Sequence, residues 1–336
     1  MPRAARVNPL TDPFIVAANR LLSDLARPQP KDPVARRRQA AELSEQSVRR
    51  LGIERAEVAT EDHVIPVPGH PDARLRVYWP TAVRPEPGAG LPVLVYFFGG
   101  GWTIGGIDDV GWDATERRRA VASGAIIVAG EYSLAPEVRF PAQPEQCWSV
   151  LEWAHRHAVE LGGDPERLAI GGASSGGNLA AAATLLNRQR ADLPIRLQLL
   201  EAPAVDLTMK HADTRGLKIG VPDAILRRLG GMLVDQYLGK GNKRARLDPI
   251  ASPLRAPSHA GLPEAIIYTA ELDPLRGDGE AYFRALAAAG VKATCVRYIG
   301  QTHTSGGLIG HVPAADHLER DVVTALRSLA AAPARV

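Results

Sequence analysis

The amino-acid sequence predicts an α/β fold: a doubly wound, mostly parallel sheet of eight strands with a helical cap. Three observations lead to it. Strand-like and helix-like segments alternate over most of the 336 residues, the rhythm of the βαβ units that build a parallel sheet. Leu91 to Phe98 is a continuous apolar run, as expected of a strand covered on both faces by helices. Two stretches without strand signals, residues 1–54 and 206–249, break the alternation and are assigned to the cap. Residues 55–205 and 250–336 remain for the main domain.

The elements follow in chain order. Residues 11–27 set Phe14, Ile15, Ala18, Leu21, Leu22 and Leu25 at helical spacing, and Arg27-Pro28-Gln29-Pro30 ends the pattern. A second helix is expected from Val34 to Leu51, with Arg36, Arg37 and Arg38 on its solvated side and Gly52 as its stop. Glu57 to Val67 and Ala73 to Trp79 form a strand pair around the turn-rich Pro68-Gly69-His70-Pro71-Asp72. The Leu91–Phe98 strand follows a Pro/Gly linker. Helix Asp113 to Ser123 leads to strand Ala125 to Ala129, and helix Gln143 to Leu161 leads to strand Leu168 to Gly171. Helix Asn178 to Leu186, strand Arg196 to Leu200, and strand Ala265 to Thr269 continue the pattern. Helix Gly279 to Ala289, strand Ala293 to Ile299 and helix Pro313 to Ala331 complete it. Between Asp206 and Asp248 only Pro222 to Leu238 has a regular period, and it is helical. An insertion of this size at the C-terminal end of a strand usually covers a site.

Composition excludes several classes. A net charge of +3 gives no basis for nucleic-acid binding. Two distant cysteines, Cys147 and Cys295, do not make a disulfide framework, which favours a reducing compartment. The N-terminus leads into no apolar signal core and no run is long enough to span a membrane, so a cytoplasmic location is expected. The histidines are scattered, without His-x-x-x-His or Cys-x-x-Cys spacing, so neither metal nor cofactor is expected. The insertion is locally basic, with nine Lys and Arg against three Asp between Lys210 and Arg246. This is either a solvated helix face or a positive field that favours substrates bearing a carboxylate.

The chemistry centres on Gly172-Ala173-Ser174-Ser175-Gly176, a G-x-S-x-G pattern between a strand-like and a helix-like segment. That context is a nucleophile elbow: a sharp strand-to-helix turn with the serine at its apex and glycines where side chains would collide. A serine hydroxyl is a weak nucleophile and needs a base, commonly a histidine oriented by a carboxylate. Of the three late histidines, His317 falls inside the final helix and His311 beside its start. His303 directly follows the last strand and is preferred as the base. Asp273 follows the preceding strand and is preferred as the acid, with Glu271 and Asp278 in reserve. Gly99-Gly100-Gly101-Trp102 lies at the end of the buried strand. Glycines there let backbone N–H groups approach a developing negative charge, and no phosphate-loop Lys-Ser/Thr follows them.

To these motifs the sequence adds Tyr132-Ser133-Leu134-Ala135-Pro136-Glu137, Phe140-Pro141-Ala142, Ser252-Pro253-Leu254, Asp273-Pro274-Leu275-Arg276 and Gly279-Glu280-Ala281-Tyr282. In this order they resemble the hormone-sensitive-lipase-like branch of the α/β-hydrolases, bacterial carboxylesterases with a helical cap. The resemblance covers roughly residues 55–336, with a looser match before them. It implies Ser174 as nucleophile, Asp273 as acid and His303 as base. It also implies an oxyanion hole from the N–H groups of Gly100, Gly101 and Ser175, an acyl pocket shaped by the cap, and a small ester as substrate. Phe98 and Trp102 are candidate pocket residues, and a second copy of the chain is a candidate partner.

The chain departs from the family pattern at several points. Phe98 replaces a usual His, Ser175 a usual Ala, Ala173 a usual Asp and Ser133 a usual Arg. Gly277-Asp278 stands for Asp-Glu, and Thr304-Ser305 for Gly-Phe. Amide hydrolysis or acyl transfer in secondary metabolism would use the same triad. A ligand-binding receptor resembling the plant gibberellin receptors lacks the histidine that His303 supplies here.

Overall fold

The computed structural model describes residues 30–213, 223–303 and 305–331. The helix expected over residues 11–27 lies outside them. Eight strands form one sheet: β1 (Thr60–Val67), β2 (His70–Tyr78), β3 (Leu91–Phe97), β4 (Ile126–Glu131), β5 (Gly163–Ala173), β6 (Ile195–Glu201), β7 (Glu264–Leu272) and β8 (Ala293–Thr302). Their spatial order is β1-β2-β4-β3-β5-β6-β7-β8. β2 runs antiparallel to both β1 and β4, and the remaining pairs are parallel.

The helices are α1 (Pro33–Arg50), α2 (Val110–Ser123), α3 (Ala142–His157), α4 (Ser175–Arg190), α5 (Asp223–Leu238), α6 (Arg276–Ala288) and α7 (Pro313–Ala331). Two apolar layers result. On one face, Cys147 and Leu151 of α3, Leu179 and Leu186 of α4, and Tyr282 and Leu286 of α6 pack together with Val95 and Ile170. On the other, Ala120 of α2 and Val322, Leu326 and Leu329 of α7 pack with Leu94, Tyr96 and Ile127. Alternate residues of β3 thus point into opposite layers, which is why the run is apolar without interruption.

Several elements differ in extent from the sequence-based expectation, α3 for example ending at His157 rather than Leu161, and β5 and α1 differ in ways that bear on packing. β5 begins at Gly163 rather than Leu168, because Gly163 pairs with Leu91 before the register shifts. α1 forms with Asp32 as its N-cap, Oδ2 accepting from Ala35 N at 2.7 Å, yet it buries no side chain. Arginines attach it instead. Arg37, expected on the solvated side, donates from Nε to Thr103 O at 3.0 Å and from Nη2 to Ala135 O at 3.0 Å. A guanidinium carries five donors in a fixed fork, so it can satisfy buried carbonyls and still pair with Glu137.

Candidate active site

β3, β5, β7 and β8 deliver their chemistry-bearing residues to the same edge of the sheet. At the end of β5 the chain turns straight into α4. Gly172 and Gly176 allow this: a Cβ on Gly172 would lie 2.4 Å from Gly176 C, and one on Gly176 would lie 2.0 Å from Phe97 O. Ser174 sits at the apex with φ 53° and ψ −115°, a sparsely populated conformation for a residue with a side chain. Surrounding bonds hold it there. Ser174 N donates to Glu201 O at 2.8 Å, and Ser174 O accepts from Asn178 N at 3.0 Å.

Asp273 follows β7 and is fully buried. Its Oδ1 accepts from Leu275 N at 2.8 Å, leaving Oδ2 for His303 Nδ1 at 2.8 Å. His303 follows β8, and its Nε2 lies 2.9 Å from Ser174 Oγ. The carboxylate only accepts, so Nδ1 carries the imidazole proton and Nε2 accepts from the serine hydroxyl. Burial lowers the pKa of His303, but the charge and hydrogen bond of Asp273 outweigh that and hold it above the ordinary histidine value.

The reserve candidates have other partners. Glu271 Oε2 accepts from Gly300 N at 2.8 Å, tying the ends of β7 and β8 together. Asp278 Oδ2 accepts from Asp206 N at 2.9 Å, and burial pushes its pKa up to about 8. His311 reaches Leu51 O at 3.0 Å, and His317 is exposed on α7.

The glycine loop after β3 flanks the serine. A Cβ on Gly100 would lie 2.0 Å from Ile104 O, and Gly100 and Gly101 adopt φ values of 151° and 58°. Gly100 O accepts from Thr103 N and Ile104 N, both at 3.1 Å. Among the described residues, the N–H groups of Gly100, Gly101 and Ser175 donate to no protein acceptor. Ser175 is the first residue of α4, where an N–H has no acceptor within the helix and the dipole is positive.

Phe98 and Trp102 both pack against protein, with 4% and 3% exposure. Phe98 stacks on Tyr132 at 4.4 Å between ring centroids. Trp102 stacks on Tyr237 of α5 at 4.7 Å with the rings 1° from parallel. Leu233 of α5 reaches Gly101, where a Cβ would lie 3.1 Å from Leu233 Cδ1. Sequence reasoning assigns no role to Tyr132, Leu233 or Tyr237. For Tyr132 a signal exists, since it opens the Tyr132–Glu137 motif. Nothing in the helical spacing of α5 announces its contact with the glycine loop. No group of three or more His, Cys, Asp or Glu side chains is placed to hold a metal ion among the described residues.

A family model described as the alpha/beta hydrolase fold matches residues 94–305, a span that holds all three members of the Ser-His-Asp chain. The chain belongs to that family. It is 39% identical over 242 residues to carboxylesterase NlhH of Mycobacterium tuberculosis, covering 70% of this chain and 72% of the relative. It is 32% identical over 280 residues to an arylesterase of Saccharolobus solfataricus, covering 83% and 80% respectively. Among solved structures it is similar to a hyperthermophilic esterase from Pyrobaculum calidifontis. There the TM-score is 0.79 and the identity 33%, over 94% of this chain and 97% of that one. These relatives agree with the hormone-sensitive-lipase-like branch that the motifs resemble.

Proposed function

We propose that this α/β-hydrolase is a serine carboxylic ester hydrolase acting on esters of short to medium acyl chains. The observation that carries the reading is the unbroken Ser174–His303–Asp273 chain at a strained elbow, with bonds of 2.9 and 2.8 Å. Ser174 Oγ attacks the ester carbonyl carbon while its proton passes to His303 Nε2. Asp273 Oδ2 stabilises the imidazolium through Nδ1–H. The carbonyl oxygen, now negative, accepts from the N–H groups of Gly100, Gly101 and Ser175, which have no protein acceptor among the described residues. Collapse expels the alcohol, which takes the proton from Nε2 and leaves an acyl-serine. Water then attacks with His303 as base, and the carboxylic acid departs. No step calls on a cofactor.

We assign residues 1–54 and 206–249 to a cap over the domain formed by residues 55–205 and 250–336. Support comes from Arg36 of α1, whose Nη1 donates to Gln236 Oε1 of α5 at 2.9 Å, and from the contacts of α5 with the glycine loop. Among the described residues no helix is long and apolar enough to cross a membrane. Cys147 and Cys295 are both free, in keeping with a cytoplasmic location. β8 is an outer strand of the sheet and exposes Ile299, which supports a homodimer.

The test is a panel of nitrophenyl esters of rising chain length with fluorophosphonate labelling alongside. Ser174→Ala is expected to lower turnover by orders of magnitude and abolish labelling with the fold intact. A label on Ser175, or an active Ser174→Ala protein, overturns the assignment.

A further inference from the structure

Ser175 contributes more than a backbone N–H. Its side chain is fully buried, and its Oγ lies 3.3 Å from the hydroxyl of Tyr132. The Tyr132 hydroxyl in turn donates to the carbonyl of Phe98 at 2.9 Å. The direction of this relay is fixed by its end. A carbonyl only accepts, so Tyr132 spends its single proton on Phe98 O, and the Ser175 hydroxyl must donate to the Tyr132 oxygen. The two ends of the relay, Phe98 and Ser175, are also positions where the chain departs from its family pattern.

The placement of these ends matters. Ser175 opens α4 and carries one of the three N–H groups of the proposed oxyanion hole. Phe98 O belongs to the peptide that leads into Gly99-Gly100-Gly101, which carries the other two. The same short segment grips the glycine loop a second time, since Ala135 N donates to Trp102 O at 2.8 Å. The Phe98 and Tyr132 rings stack at 4.4 Å, so packing and hydrogen bonding hold one geometry. A glycine triplet is otherwise the most freely moving backbone a chain can offer.

We infer that Ser175 and Tyr132 are positioning residues, whose buried hydroxyl relay to the Phe98 carbonyl locks the two halves of the oxyanion hole into one rigid unit. This rests on the proposed oxyanion hole of Gly100, Gly101 and Ser175. Burial pushes the Tyr132 hydroxyl above its ordinary pKa, partly offset by the bond from Ser175, so it stays protonated and able to donate throughout the working range. The relay touches no reacting atom. Its contribution is to preorganise donors for a charge that exists only in the transition state.

The experiment uses Ser175→Ala, Tyr132→Phe and the double variant, each checked by circular dichroism and thermal melting. Ser175→Ala keeps the backbone N–H and removes only the side-chain donor. Three readouts are taken: kcat and KM on a nitrophenyl ester, the affinity of a trifluoromethyl ketone, and the affinity of the matching secondary alcohol. The ketone forms an oxyanion on Ser174, and the alcohol fills the same pocket without one. Each single variant is expected to lose about three- to tenfold in kcat, the scale of one hydrogen bond. KM should change little, ketone affinity should fall with kcat, and alcohol affinity should hold. The double variant should be no worse than Tyr132→Phe, because the two groups act in series.

Multiplying losses, a parallel fall in alcohol affinity, or an unchanged kcat would each overturn the relay. If Tyr132→Phe fails to fold, the ketone-to-alcohol comparison in Ser175→Ala decides alone. Ser174→Ala is the control for the underlying reading. If it stays active, the oxyanion assignment itself falls and the relay with it. If it is inactive while the Ser175 and Tyr132 variants behave as wild type, only the relay falls.

Discussion

Asp273→Asn separates an orienting carboxylate from a merely structural one, and the geometry dictates how the variant must sit. Asp273 Oδ1 accepts from Leu275 N at 2.8 Å and Oδ2 faces His303 Nδ1 at 2.8 Å. An asparagine there keeps the Leu275 bond only by turning its carbonyl oxygen to that N–H. Its NH2 group then faces Nδ1, which must give up its proton to accept. The imidazole proton moves to Nε2, opposite Ser174 Oγ, where a base is needed. The wrong tautomer in a Ser-His-Asp site costs on the order of 10⁴-fold in kcat, roughly 5.5 kcal/mol of barrier at 1.36 kcal/mol per decade.

The pH profile of kcat/KM supplies a second, independent sign. In the native protein Asp273 raises the His303 pKa against the lowering effect of burial. Without that charge only burial remains, so the acid limb of the residual activity should move to lower pH. Steady-state rates on a nitrophenyl ester between about pH 5 and 9 measure both effects, given that unperturbed histidine titrates near 6.5. Glu271→Gln, which keeps an acceptor for Gly300 N, serves as control and should stay within about threefold of wild type, the scale of one weakened hydrogen bond. A loss below tenfold in Asp273→Asn, or a limb that moves to higher pH, would refute the assignment.

Two further outcomes follow from strain and burial. Ser174→Gly and Ser174→Ala should both be inactive, but only glycine relieves the φ of 53°. Strain of about 1 kcal/mol should put the glycine variant's melting point about two degrees above the alanine variant's, and equal midpoints would deny that the elbow is strained. Glu116 is buried with neither carboxylate oxygen partnered, and desolvation is the leading cause that pushes its pKa up to about 8. The folded protein therefore holds a proton that the unfolded chain releases near the ordinary value of 4.5, and this costs stability progressively as pH rises between those two values. Melting curves should show Glu116→Gln gaining on wild type across that window and no further above it, whereas parallel curves would refute the shift.

Much of this site is legible in the amino-acid sequence, for a physical reason. A nucleophile elbow demands particular small residues at particular spacings, so Gly172, Ser174 and Gly176 carry their geometry in the sequence. The choice among Asp273, Glu271 and Asp278 is of another kind. All three follow the strand Ala265 to Thr269 expected from the sequence, which holds no record of which carboxylate points where. Only folding separates them: Glu271 turns to Gly300 N, Asp278 to Asp206 N, and Asp273 to His303. The braces are harder to read for a related reason: the Tyr132–Glu137 motif marks Tyr132, but not what its hydroxyl holds. Tyr132 and Arg37 act on backbone carbonyls, and any residue supplies a carbonyl, so no partner type marks the contact in advance.

In the basic insertion two of the arginines also hold main-chain atoms. Counted along the sequence, nine basic residues face three acidic ones between Lys210 and Arg246, enough to suggest a positive field over the site. In the structure Arg227 donates to Met209 O at 2.9 Å and to Ala212 O at 2.8 Å, holding the start of the insertion against α5. Arg246 donates to Leu207 O at 3.1 Å and pairs with Asp235 at 2.9 Å, closing its far end. A guanidinium held between carbonyls keeps its charge, but its position answers to the chain it holds together. The exposed Lys240, Lys243 and Arg244 follow the end of α5, past Tyr237, whose ring packs on Trp102 of the glycine loop. What α5 brings to that loop is apolar: Leu233 against Gly101 and Tyr237 on Trp102. Solvent-exposed charges beyond a Debye length of about 8 Å are largely screened at physiological salt. Contacts at van der Waals distance are not screened, so the packing of Leu233 and Tyr237 on the glycine loop persists at any salt concentration.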